Sequence, residues 1–578
     1  MIICENLFYN ANIFNTAYKK FYRGFLATRK KKIVAIGEGE PSESIVAKNS
    51  IDLEGRFVIP GLIDIHTHIE SAMLTPYMFA RELARRGVTT IVSEPHEIAN
   101  VAGIDAVYTM IDAAQGAPID IFYSIPSSVP SSNPSLETTG GSIEIEDVLK
   151  LMEHPHVKAL GEVMNVNSVL YEKSGKTNKL VKAFRKSNPM LPVEGHCPRI
   201  VGEELAKYIF SGIDSDHTEH TLEEMKQRLF NGMMMQIQEK TVVKELMDHI
   251  VENDLYNSVA LVTDDVMPHE LVENGHLDYI VKLATECGFS FENAVYCATK
   301  TPADRMRLFD RGSIRPGLLA DFVILDDGRS FDVYAVYKSG YEVYSKERGD
   351  RFREKSDYSF PKRYTNSIKL GKITPENFTV RVPEKDTEKE SVKVRRIVNS
   401  SPATQTKKDK VAFPVKKGEV VWENNDKDTL LITVFDRYKK SGNIGQGFVT
   451  GAVHKKGAVA TTYNHDCHNL LVAGSNKKDM VLASNEVIKM KGGFAVALDG
   501  KIIASCPLPI GGIMSASPAD ELALKLGEVV KAMEMLGYNH VDPIMSFCTL
   551  TLAVSPSLKI TDVGYVDVMN QKTAELFV

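Results

Sequence analysis

The chain has 578 residues, 43% hydrophobic and 25% charged, proportions of an ordinary folded protein that exclude wholesale disorder. Its 69 Lys and Arg against 75 Asp and Glu leave a net charge of −6, which lacks the basic footprint of a dedicated nucleic-acid binder. Seven scattered cysteines are odd in number and never form C-x-x-C, which argues against a disulfide scaffold or zinc-finger framework and for a reducing, cytoplasmic setting.

The first residues, MIICENLFYNANIF, do not follow a signal-peptide pattern, and no apolar run reaches the roughly 20 residues that span a bilayer. The expected partner is a small molecule, not nucleic acid or membrane, and a homodimer is admitted as an assembly. Three β-like pieces come first, IICENLFY, GFLATRKKKIVAIGEG and SIDLEGRFVIPG, with the basic run 29–32 read as a solvated hairpin.

From about 57 to 265 a short apolar run, a polar cluster and an amphipathic stretch recur. The apolar runs fall at 62–65, 88–92, 119–123, 157–160, 191–193, 212–214 (the weakest), 233–237 and 259–262. Between them, LTPYMFARELARRG, TNKLVKAFRKSN, GEELAKYIFSG, TLEEMKQRLFNG and TVVKELMDHIVEN place apolar residues three and four apart, as helices do. Eight such alternations predict an α/β fold built on a (β/α)8 TIM-like barrel.

After the barrel come GSIRPGLLADFVILDDG and VYAVYKSGYEVY, predicted to pair with the first pieces. The expected domains are a small β-sandwich-like domain of 1–58 and 311–365, the barrel at 59–310, and a C-terminal α+β domain at 366–578. By composition the charged stretch 384–412 reads as a solvated linker. Beyond it, TLLITVFDRY, GAVATTYNH and GGFAVALDGKIIAS read as strands and ADELALKLGEVVKAMEMLG as a helix. GNIGQGFVTG (442–451) lacks the G-K-[ST] ending of a phosphate loop and reads as a tight turn.

Polar clusters follow the apolar runs directly: HTH (66–68), EPHE (94–97), PSSVP (126–130), GEVMN (161–165), GHCP (195–198), SDHTEH (215–220), QIQEK (236–240) and TDD (263–265). Barrel enzymes keep their active sites at these carboxyl ends. His66 and His68 stand at i and i+2, so both imidazoles point the same way and can hold one metal. His196 and His217 add two nitrogens, Asp264 adds an oxygen, and Glu162 is placed to bridge. Six ligands exceed the three that a catalytic zinc takes from protein and suit two divalent ions. His465 and His468 in HDCHN read as a docking motif or as a metal or substrate feature.

VIPGLIDIHTHIESAMLTP, EPHEIANVAG, GEVMN, the GH of GHCP, SDHT, TDD with GHLDYIV, and RGSIRPGLLADFVILDD resemble the adenine deaminase family of the amidohydrolase superfamily. The resemblance continues through GFVTGAVHKKGAVATTYNHDCHNLLVAGSN and PLPIGGIMS, so it covers nearly the whole chain and draws the charged stretch into the last domain. It implies hydrolysis of adenine to hypoxanthine and ammonia at a binuclear site, commonly of Mn2+ or Fe2+. His66, His68, His196 and His217 resemble the family's metal-binding histidines, and Glu162 the bridge. Asp264 resembles the aspartate that touches metal and shuttles a proton, so Asp264 and Glu162 are the expected catalytic pair.

Attack at C6 needs a hydroxide at neutral pH, which metal binding provides, and proton delivery to a ring nitrogen and to ammonia. His96 and Glu97 are the expected ring-nitrogen contacts. Glu94 stands where the family has Asp, Cys197 and Arg199 replace small residues, and the loop PSSVPSSNPSLETTG is longer, departures that bear on substrate fit. Two other readings are a cyclic-amide hydrolase on the same barrel and an inactive metal-binding scaffold.

Overall fold

The computed structural model describes residues 1–172, 175–400 and 404–578. It divides into two compact units. The first comprises Met1–Pro95, Met110–Ser127 and Glu144–Tyr358; the second comprises His96–Thr109, Ser128–Ile143 and Ser359–Val578.

In the first unit, eight parallel strands run in sequence order: Leu62–Thr67, Val88–Ser93, Asp120–Ile125, Val157–Val163, Val193–Gly195, Ser215–Asp216, Met234–Ile237 and Val259–Leu261. Thr67 bridges in parallel to Asp264, which joins the eighth strand end to the first. The first two strands are buried along their whole length, as expected of a parallel sheet covered by helices on one face and filled on the other. Ile63, Ile65, Val92, Ala159, Ala260 and Val262 belong to one buried apolar cluster with Ala303 and Met306.

The helices stop and start where their residues dictate. Pro76 opens Pro76–Arg85 with an amide that needs no partner, and Thr221 accepts from the Glu224 amide while Glu224 caps Thr221 in return. The sixth strand is the correction: the apolar run at 212–214 lies short of the observed Ser215–Asp216, which pairs with Met234 and Met235. That strand is polar because its neighbours are charged. Arg305 and Arg185 hold Asp214, Arg228 holds Asp216, and Ser215 donates to Glu194, so hydropathy is a poor guide there.

Phe322–Leu325 pairs antiparallel with Phe57–Pro60 and so joins the two flanking segments in one nine-stranded sheet. The basic run 29–32 is a hairpin between Lys20–Arg29 and Lys32–Glu38.

The second unit is built on another nine-stranded sheet, with helices Lys477–Met490 and Ala519–Met535. Here the charged stretch 384–412 is not a linker. Ser391–Asn399 and Thr406–Lys416 form an antiparallel pair, and residues 401–403 lie outside the described residues. Alternation explains it, since Val392 and Val394 are buried while Lys393 between them is exposed. Nor is 442–451 a turn: Ile444–Gly451 is a strand against Leu430–Phe435, and a Cβ on Gly447 would meet the Tyr565 ring at 2.6 Å. Among the described residues no helix is long and apolar enough to cross a membrane.

Candidate metal centre

The ends of the first, fourth, fifth, sixth and eighth barrel strands bring together all six residues that the sequence singles out as ligands. The donor atoms of His66, His68 and Asp264 lie within 4.8 Å of one another, as do those of His66, Glu162 and His217. His66 Nε2 and His68 Nε2 stand 3.5 and 3.4 Å from Asp264 Oδ1. On the other side, His196 Nδ1 and His217 Nε2 stand 2.9 and 3.0 Å from Glu162 Oε2. Glu162 Oε1 faces His68 Nε2 at 4.0 Å, so its two oxygens address the two halves of the set.

Backbone and neighbouring groups fix the rings. His68 Nδ1 is 2.9 Å from the Glu94 carbonyl oxygen, which leaves Nε2 for a metal. The His66 amide donates to Asp64 Oδ1 at 3.0 Å, and Asp64 Oδ2 accepts from Thr263 Oγ1 at 2.7 Å. His276, from the GHLDYIV segment, faces that hydroxyl at 3.1 Å. Asp264 sits in the left-handed region at φ 64°, a conformation that Asp tolerates better than most residues, and its amide donates to the His66 carbonyl. Gln238 Nε2 donates to Asp264 Oδ2 at 2.9 Å and to the His217 carbonyl at 3.1 Å. Gln238, Asp64 and His276 are contributors that ligand spacing alone does not single out. Gln238 and Asp64 lie in or beside polar clusters at strand ends, whereas His276 precedes the helix Leu277–Glu286.

The imidazoles and carboxylates of the set shift one another's ionisation. Burial opposes charge on His217, yet Glu162 and Asp264 push it up to about 9. Burial also opposes ionisation of Asp264, but His217, His66 and His68 hold its carboxyl well below the ordinary carboxylate range. Glu162 is likewise held low against burial by His196 and His217. His66 Nε2, on a side chain only 2% exposed, has no hydrogen-bond partner among the described residues. A buried and a half-buried carboxylate and four imidazoles, one with an unpartnered ring nitrogen, fit divalent metal, which would take the place of the His217 proton. His196 is the most open ligand, with its side chain 37% exposed, and marks where solvent reaches the set.

Cys197 is fully buried, with its thiol donating to Asp216 at 3.1 Å, and Arg228 Nε donates to the same carboxylate at 2.7 Å. Arg199 is exposed. In the long loop, the Thr138 amide donates to Asp562 at 2.8 Å. His96 and Glu97 belong to the second unit, where Glu97 pairs with His465 and His468.

Residues 57–343 match the amidohydrolase family, and 403–572 match the adenine deaminase C-terminal domain. An adenine deaminase of Clostridium perfringens is 44% identical over 576 residues, 99% of either chain. Adenine deaminase 2 of Shouchella clausii is 44% identical over 575 residues, and adenine deaminase 2 of Oenococcus oeni 41% over 571, each spanning 99% of this chain and at least 98% of its own. The likeness runs through both units and includes every strand end described above. The chain belongs to the adenine deaminase family.

Proposed function

We propose that the protein hydrolyses free adenine at C6, giving hypoxanthine and ammonia, at two divalent ions held by His66, His68, Glu162, His196, His217 and Asp264. The observation that carries this reading is that all six donors converge in a chain aligned end to end with adenine deaminases. The donor set of imidazole and carboxylate suits Mn2+ or Fe2+, and the odd, unpatterned cysteine complement suits the cytoplasm.

When bound, the two ions supply Lewis acidity and make water acidic enough to act as a nucleophile near neutral pH. The residues do the rest. Asp264 Oδ1 faces both first-strand histidines while Gln238 pins Oδ2, so the carboxylate has one fixed oxygen and one turned to the reacting side. In that position it accepts a proton from the nucleophile and returns it to a ring nitrogen or to departing ammonia. Glu162 spans the two halves of the ligand set and fixes their separation. The expectation that Glu97 reads the purine is not carried forward, because both its oxygens already face imidazoles.

The test is a substrate panel with Mn2+-reconstituted enzyme: adenine, adenosine and cyclic amides such as dihydroorotate. Ammonia release from adenine well above that from adenosine is expected. Turnover of a cyclic amide without turnover of adenine would replace this reading with the cyclic-amide one, and no turnover at all would favour an inactive scaffold.

A further inference from the structure

A second concentration of imidazoles and carboxylates lies wholly within the second unit. Glu97 is in the first turn of the helix His96–Ala102, and His465, Asp466 and His468 are in the loop between Ala458–Thr461 and Leu470–Gly474. His96, Glu97, His465, Asp466 and His468 are 6, 1, 6, 4 and 0% exposed. The donor atoms of His96, Glu97 and Asp466 lie within 4.8 Å of one another. His96 Nε2 is 3.5 Å from Glu97 Oε1, and His465 Nδ1 is 2.5 Å from the same oxygen and 3.7 Å from Asp466 Oδ1.

We propose that His96, Glu97, His465 and Asp466 form a further divalent-cation site, sharing no ligand with the barrel set. N and O donors about 2.0–2.2 Å from a tetrahedral ion stand roughly 3.3–3.6 Å apart. The His96–Glu97 separation of 3.5 Å fits such an edge, and the His465–Asp466 separation of 3.7 Å is about 0.1 Å beyond it. The closer Glu97–His465 contact opens by about 1 Å when an ion replaces the shared proton, as ligand deprotonation on metal binding requires. His468 is not a ligand in this arrangement. Its Nε2 meets Glu97 Oε2, the imidazole–carboxylate contact that fixes the direction of a coordinating oxygen.

An ion pair alone leaves this cluster incomplete. Asp466 Oδ2 is buried with no hydrogen-bond partner among the described residues. A buried polar atom left without a partner is costly, the more so when it is charged. The loop is fixed beforehand: the His465 amide donates to the Cys548 carbonyl at 3.2 Å, and Thr551 Oγ1 donates to the His465 carbonyl at 2.7 Å. Cys467 directs its thiol to Asn464 Oδ1 at 3.6 Å, so the site offers nitrogen and oxygen without sulfur. That donor set selects Zn2+, Mn2+ or Fe2+ and disfavours Cu+.

The site is tested by elemental analysis of full-length protein loaded with Zn2+ and freed of loose metal. Asp466→Asn and His465→Gln are expected to bind one ion per chain fewer than wild type, while His66→Asn loses metal from the barrel and keeps this ion. Wild-type metal content in both second-unit variants overturns the site. Should the variants fail to fold, anomalous scattering at the zinc edge from wild-type crystals decides: a peak among Glu97, His465 and Asp466 is expected, and its absence in crystals with barrel zinc present overturns the proposal. Neither readout uses adenine, so the site can fail without the proposed activity failing, and the reverse.

Discussion

The barrel centre and the Glu97 cluster use the same side chains but are built on different supports. In the barrel, donors project from five strand ends, and their separations lie between 2.9 and 4.0 Å. In the second unit, donors come from a helix start and a loop more than 350 positions apart in the chain, and Glu97 closes on His465 at 2.5 Å. Parallel strands set the spacing of side chains rigidly, so like-charged and neutral donors can be kept apart and aimed at a common point. A loop-borne set can collapse on itself until something is placed between its members. The contrast separates a centre poised for chemistry from one whose donors close on each other.

The largest expected effect that would break this contrast is on Asp264. Asp264→Asn keeps size and one oxygen while removing the proton acceptor, so kcat for adenine should fall by about 10²–10⁴-fold with metal content largely retained. Near-normal kcat with metal bound would move the proton-shuttling role to another residue. Next comes Gln238→Leu, which frees Asp264 Oδ2 and the His217 carbonyl without replacing either residue. A drop of about 10–100-fold in activity or metal affinity is expected, and an unchanged rate would show that strand-end rigidity suffices without Gln238.

The third expected effect is on stability. Burial raises the Asp216 carboxyl, but His220 and Arg228 outweigh it and hold the group below the ordinary carboxylate range. A depressed folded-state pKa gives stability that is present above the unfolded value near 4 and lost as pH falls toward the folded one. Asp216→Asn should therefore cost about 3–5 kcal/mol at neutral pH by stranding Arg228, and the gap from wild type should narrow below pH 4. Denaturant titrations at several pH values measure it. A gap independent of pH would mean that the pair is not ionic.

Much of the barrel and of the residue cluster at its strand ends is legible from the sequence, for a physical reason. Period-two strands and short βα turns tie a residue's place in the fold to its place in the chain, so His66, His68 and Asp264 announce their positions by following apolar runs. The sixth strand is less legible because Asp214, Ser215 and Asp216 are held by arginines and hydrogen bonds instead of hydrophobic burial. Gln238 is hidden because an amide that orients a ligand has no characteristic spacing. The partners of Glu97 are hidden more deeply. Nothing local to EPHE or HDCHN tells that these segments meet, and composition pointed the intervening charged stretch toward solvent when its alternating valines make it a strand.

The most direct measurement of the barrel assignment is a Mn2+ titration of metal-free wild-type enzyme that follows hypoxanthine formation and the electron paramagnetic resonance spectrum together. Glu162 faces both halves of the ligand set, so two ions joined there should give an exchange-coupled signal. Activity is expected to rise in step with that coupled signal, and Glu162→Gln should lose both. Full adenine turnover while only isolated Mn2+ signals are present, or a coupled pair formed without any turnover of adenine, would contradict the assignment of these six residues to a binuclear adenine-hydrolysing centre.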